Sequence, residues 1–202
     1  MTSYEQWIEW NEKHNCLPYM ETVEIAPMRM PSWRGLWEEA GEAAVVLESG
    51  KAGRYTFVGA EPAEWMYGDL AGGVRVKAGG GTEPVGGAPL AALRRWMAEF
   101  SAPRPPELPK FAGGIAGYLA YDVVRTIERL PERAAADSPV PDYFFMRLEK
   151  LWIVDHERSR LHVVVHAVRP RRDPPWREEE LRERFAWAKA EAARMREAWR
   201  RW

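Results

Sequence analysis

Residues 45 to 62 read VVLESGKAGRYTFVGAEP. An apolar run ends on Glu48 and Ser49, a Gly-Lys-Ala-Gly link follows, and Arg54 opens a second run in which aromatic and polar side chains alternate. A carboxylate, a hydroxyl, a guanidinium and a phenol therefore stand close together in sequence, at the end of one strand and the start of the next. These groups can accept from a cation, donate to an anion and offer a ring to stack on. The plainer alternative is a hairpin in which Ser49 caps the turn, Lys51 points to water and Tyr55 packs in the core. Residue types alone leave both open.

Other chemistries find less support. Zinc-ligand spacing, a phosphate-binding Walker loop and a Cys/His nucleophile pattern are absent, and His14, His156, His162 and His166 fall in no ligand order. His162 and His166 share a face if their segment is a strand, but a pair without a third ligand reads as surface decoration. Gly113, Gly114 and Gly117 in FAGGIAGYLAYD do not follow a strand and open a helix, so they fit close packing of a buried strand better than a phosphate cradle. The acids of WREEELRERF point around a helix start and match its dipole, which is a solvated face and not a metal site. No catalytic residue and no metal ligand is assigned.

The elements that must position the 45–62 stretch follow from periodicity. The chain has 202 residues, 46% hydrophobic and 29% charged, enough for a sizeable core. With 29 basic against 30 acidic residues, no global field draws it to nucleic acid or an anionic membrane. One cysteine, Cys16, excludes an internal disulfide, and no apolar run approaches a bilayer span. The acidic N-terminus is unlike a signal peptide, which points to the cytoplasm.

A short amphipathic helix is expected in residues 3 to 15, an extended edge segment around Tyr19 to Ile25, and one or two helical turns over 33 to 40. Strands at 43–49, 54–60, 63–68 and 73–77, joined by short turns, predict an antiparallel meander. GGGTEPVGGAP reads as a loop. Pro89 then opens a helix over 88–100 with Leu90, Leu93, Met97 and Phe100 as its stripe. A short helix near 121–127 precedes two or three strands in DYFFMRLEKLWIVDHERSRLHVVVHAV, the last pair a hairpin through DHERSR. Leu181, Phe185, Ala188, Ala192, Met195, Trp199 and Trp202 recur at spacings of three and four, which predicts a long C-terminal helix without a stop signal. The fold class expected is α+β: mainly antiparallel sheet with a few packed helices and that long final helix.

Three stretches in order, VVLESGKAGRYTFVGAEP, LPKFAGGIAGYLAYDVVRTIERLP and PDYFFMRLEKLWIVDHE, resemble signature segments of the N-terminal region of the component I proteins of anthranilate synthase and aminodeoxychorismate synthase. The resemblance covers most of residues 17 to 168. It implies a component I N-terminal domain at 1–170 and a helix at 171–202 leading to an absent chorismate-binding domain. The partners implied are that domain, a glutamine amidotransferase subunit that delivers ammonia, and free tryptophan. No cofactor is implied in this chain, with magnesium expected in the absent domain. The resemblance also implies a tryptophan pocket lined by Leu47, Glu48, Ser49, Arg54, Tyr55 and Thr56, where acid, hydroxyl, guanidinium and ring would meet the ligand's ammonium, carboxylate and indole. The link of only four residues, 50 to 53, and the 11 tryptophans lean to the p-aminobenzoate and folate branch, where the pocket can hold its ligand as a structural element. The alternatives are an anthranilate synthase component I with a feedback site, a free-standing amino-acid-binding module, and a structural domain without a ligand. A domain cut from a larger fold would expose the seam of its last helix and parts of the glycine strand.

Overall fold

Ser3 starts the first helix: its hydroxyl accepts the Gln6 backbone N–H while the Gln6 side chain accepts the Ser3 N–H, a reciprocal cap that satisfies two orphan donors. In this computed structural model, which describes residues 1–25, 30, 32–41, 43–48, 53–77, 79–106, 109–130 and 139–202, that helix is α1 (Tyr4–Asn11). There follow β1 (Cys16–Glu24), α2 (Trp33–Glu39), β2 (Ala44–Glu48), β3 (Tyr55–Ala60), β4 (Glu64–Gly68), β5 (Gly72–Lys77), β6 (Thr82–Gly86), α3 (Pro89–Met97), β7 (Gly114–Leu119), a 3-10 helix (Tyr121–Thr126), β8 (Tyr143–Leu148), β9 (Lys150–Asp155), β10 (Arg160–Val168) and α4 (Glu178–Arg201). The strands form two five-stranded antiparallel sheets, β1-β10-β9-β3-β2 and β6-β5-β4-β8-β7, so the α+β expectation holds. Among the described residues no helix is long and apolar enough to cross a membrane.

The chain divides into two compact units. The first comprises Met1–Glu61, Glu99–Gly114 and Leu148–Trp202 and contains the first sheet. Strand alternation sends Leu17, Tyr19, Val58, Trp152, Val154, Leu161, Val163 and Val165 to one face, which α4 covers with Leu181, Ala188, Ala192, Met195 and Ala198, all buried. Two alanines in the middle of that stripe let the helix lie close on the sheet. The Trp152 Nε1–H donates to the Met195 carbonyl at 2.8 Å, and the Trp152 and Trp202 rings lie 4.8 Å apart. The expectation of an exposed helix seam is therefore overturned: the chain's own sheet buries it.

The second unit comprises Pro62–Ala98 and Ile115–Arg147. Here α3 buries Pro89, Ala92, Leu93 and Trp96 and leaves Leu90 and Met97 exposed, so the buried stripe is rotated from the one expected. The Trp96 Nε1–H donates to the buried Glu64 carboxylate at 2.8 Å, and that bond favours the rotation.

Three further expectations are corrected. The meander is interrupted: β2 pairs with β3 and β4 with β5, but β9 takes the place beside β3 and β8 the place beside β4. Between β3 and β4 stand Glu61, with φ at 52°, and Pro62, which lacks a ladder donor. GGGTEPVGGAP contains a strand, β6, whose Pro84 is tolerated because β6 is an edge. The glycine strand is β7, also an edge and not buried through its length. Close approach at its glycine is borne out, since a Cβ on Gly117 would run into the Phe144 carbonyl oxygen.

Candidate functional site

The ends of β2 and β3 lie side by side, with Leu47 opposite Phe57 and Glu48 opposite Thr56. Because side chains alternate across a strand, this register divides the expected pocket between two faces. Leu47, Tyr55 and Phe57 share one face, while Glu48 and Thr56 share the face of Val46 and Val58, which belongs to the core beneath α4.

On the core face Thr56 is buried, and its Oγ1 lies 2.8 Å from His156 Nε2. Glu48 is exposed and accepts the Trp33 Nε1–H from α2 at 3.2 Å. On the other face Leu47 is 43% exposed. The Tyr55 and Phe57 rings are 5.8 Å apart, and Phe111 meets Phe57 edge-on at 5.4 Å, making an aromatic row beside the strand end.

Arg54 sits at the mouth of this row with its guanidinium 4.9 Å from the Tyr55 ring centre. Asp155 accepts from its Nη2 at 2.8 Å and from its Nε at 3.1 and 3.2 Å, and Glu157 lies 3.1 Å from Nε. Nη1 is left without a hydrogen-bond acceptor among the described residues. Asp155 is 1% exposed. Burial pushes its carboxyl up, but the Arg54 hydrogen bonds and the backbone N–H groups of Arg158 and Glu157 outweigh burial and hold it below the ordinary range. Arg54 is thus already neutralised and fixed by two acids from the β9–β10 turn.

Ser49 and its neighbours 50 to 52 lie outside the described residues, as do the turn-capping role weighed for Ser49 and the water-facing one weighed for Lys51. His162 and His166 share a face as expected but are buried, which corrects the surface reading. His162 Nδ1 is 2.9 Å from Thr22 Oγ1, and His166 Nδ1 is 3.2 Å from the Glu149 carbonyl. Desolvation pushes the His162 imidazole down. Among the described residues no group of three or more His, Cys, Asp or Glu side chains could hold a metal ion.

Sequence reasoning missed Asp155, Glu157, His156, Trp33 and Phe111 as neighbours of the stretch. The acid and histidine of DHERSR were visible as a turn. Their meeting with Arg54 and Thr56 depends on the β3–β9 pairing, a contact across about a hundred residues that no local pattern announces.

No family model matches the chain. It is similar to the anthranilate synthase component 1 of Mycolicibacterium smegmatis, 33% identical over 174 residues, covering 83% of this chain and 33% of that protein. It is also similar to the aminodeoxychorismate synthase component 1 of Bacillus subtilis, 31% identical over 122 residues, covering 60% of this chain and 26% of that protein. Its fold resembles the crystal structure of anthranilate synthase component I from Streptococcus pneumoniae TIGR4, with a TM-score of 0.51, 21% identity, and coverage of 85% of this chain and 36% of that one. The chain spans about a third or less of the length of these relatives.

Proposed function

We propose, for a chain that belongs to the component I family of anthranilate and aminodeoxychorismate synthases, that it is the N-terminal, non-catalytic part of an aminodeoxychorismate synthase component I. Amination of chorismate then takes place in a further domain, with ammonia from a glutamine amidotransferase subunit. In this reading magnesium is bound by that further domain.

The strand end of β2 and β3 serves as a tryptophan pocket in this reading. The observation that carries it is the aromatic row of Tyr55, Phe57 and Phe111 beside exposed Leu47, with a fixed guanidinium at its mouth. The rings and Leu47 suit an indole, and the Nη1 edge of Arg54 is available to a carboxylate. In this reading the Ser49 hydroxyl is an expected second donor to that carboxylate, and the exposed Glu48 carboxylate, on the other face of β2, turns from Trp33 over the strand tip to meet the ammonium. Thr56, buried on the opposite face, supports the strand and not the ligand.

The four-residue link at 50–53 and the 11 tryptophans support the p-aminobenzoate branch. The anthranilate reading draws support from the larger share of this chain covered by the M. smegmatis relative. Growth rescue separates the branches. The reading frame that encodes the chain, expressed with whatever follows it, is expected to rescue a p-aminobenzoate-requiring strain, and rescue of a tryptophan-requiring strain alone transfers the protein to the anthranilate branch. The pocket is tested by calorimetry with tryptophan and by analysis of amino acids released on denaturation. Ser49→Ala is expected to weaken tryptophan binding by roughly 1 to 2 kcal/mol, one hydrogen bond to a charged group. Wild-type protein that neither releases nor binds tryptophan sinks the pocket.

A further inference from the structure

A lone guanidinium at the mouth of an aromatic row would draw any aromatic carboxylic acid, whether or not that acid also carried an amine. Arg54 is not alone. Asp155, buried, accepts three hydrogen bonds from its Nε and Nη2, and Glu157 stands 3.1 Å from Nε. Asp155 is itself held by the turn, since its Oδ1 accepts the backbone N–H groups of Glu157 and Arg158, each at 3.2 Å.

Two negative charges therefore face one positive charge at contact distance, and the three side chains together are anionic. The cation opposite Asp155 in the ladder, Arg160, lies instead 3.9 Å from Glu24. What Arg54 still offers is direction without net charge. Its Nη1 has no acceptor among the described residues, so a ligand oxygen can take a hydrogen bond there but finds little Coulomb attraction behind it.

We propose that Asp155 and Glu157 set the charge specificity of the strand end: by cancelling Arg54 twice over, they make it a site for an aromatic ligand that carries an ammonium group and turn away the corresponding acid that lacks one. This rests on the reading of the strand end as an indole pocket and adds two residues from the β9–β10 turn to it. A carboxylate alone gains hydrogen bonds from Nη1 and meets the field of two acids. An ammonium meets that field with the favourable sign, and a zwitterion gains from both. The two acids are thus the repulsive element by which an amino acid is told from its deaminated analogue. The rings of Tyr55, Phe57 and Phe111 serve both alike.

Three indole compounds separate the charges: tryptophan carries both groups, tryptamine only the ammonium and indolepropionate only the carboxylate. Calorimetry at low salt uses the protein expressed from its full reading frame. Tryptamine is expected to bind about tenfold more tightly than indolepropionate, or better. Glu157→Gln, at an exposed side chain, and Asp155→Asn, which keeps the shape of the acid, should each shift the ratio of the two affinities toward indolepropionate by about threefold or more. Glu157→Gln decides the matter alone if Asp155→Asn fails to fold. Tryptophan binding without a preference for tryptamine over indolepropionate, or with a preference that Glu157→Gln leaves unchanged, overturns this inference and leaves the pocket standing. Failure of all three compounds to bind overturns the pocket and this inference together.

Discussion

Arg54 directs three hydrogen bonds at one buried carboxylate, and its value to the site lies in being immobile. Asp155→Ala removes those bonds and the cap on the Glu157 and Arg158 N–H groups. It should cost about 1.5 to 3 kcal/mol in denaturant unfolding, the range for hydrogen bonds to a charged group. Another carboxylate contributes to the acid limb. The Arg194 hydrogen bond, against burial and with help from Lys150, holds Glu191 down at about 2. An unfolded glutamate titrates near ~4.3, so its contribution is complete above that pH and is lost as pH falls from there toward 2, where the native state must take up the proton. Urea unfolding of Glu191→Gln between about pH 5 and 2 should show a flatter loss of stability than wild type, by on the order of 2 kcal/mol. At this scale the 45–62 stretch was legible as chemistry, but which of its side chains share a face was not. The split of Glu48 and Thr56 from Leu47 and Tyr55 is a matter of register with β3.

The final helix shows how far periodicity carries at the level of elements. Of the expected stripe, Leu181, Ala188, Ala192, Met195 and Trp199 are buried and Phe185 and Trp202 partly so, with Ala198 added beside them, because a spacing of three and four lines one helical face whatever that face meets. What it meets was misjudged, since the apolar face of the first sheet is assembled from strands far apart in sequence. Met195→Ala, which opens a cavity at a fully buried position, should destabilise by about 2 to 5 kcal/mol in thermal or denaturant unfolding. In the second unit Trp96→Phe keeps the ring burial and deletes the N–H donated to Glu64. A cost of about 1 to 3 kcal/mol is expected, the penalty of a buried acceptor losing a donor, and a loss below half a kcal/mol would show that Arg147, 3.4 Å from the same carboxylate, suffices alone.

For the molecule as a whole, the first unit carries its own cover, with α4 occupying the sheet face that would otherwise lie bare. Deletion of residues 178 to 202 should therefore expose Trp152, Val154, Leu161, Val163 and Val165 together, giving strong binding of an apolar dye and aggregation during expression, whereas the intact chain shows neither on that face. The proposed division of labour has its own outcome. Incubated with chorismate, ammonia and magnesium, the 202-residue chain should form neither anthranilate nor aminodeoxychorismate, as followed by product fluorescence and chromatography. Product above the uncatalysed rate would place catalytic residues within the chain.

Local rules were enough for whatever depends on neighbours along the chain. Ser3 with Gln6 starts a helix, Pro89 opens another, DHERSR turns a hairpin, and alternation marks the strands from Ala43 onward. Partition of those strands between two sheets was beyond such rules, because pairing energy depends on which strand lies alongside and not on either strand alone. Tertiary structure inserted β9 beside β3 and β8 beside β4, and those pairings joined Arg54 to Asp155. They also left β7 at an edge and turned the seam of the last helix inward.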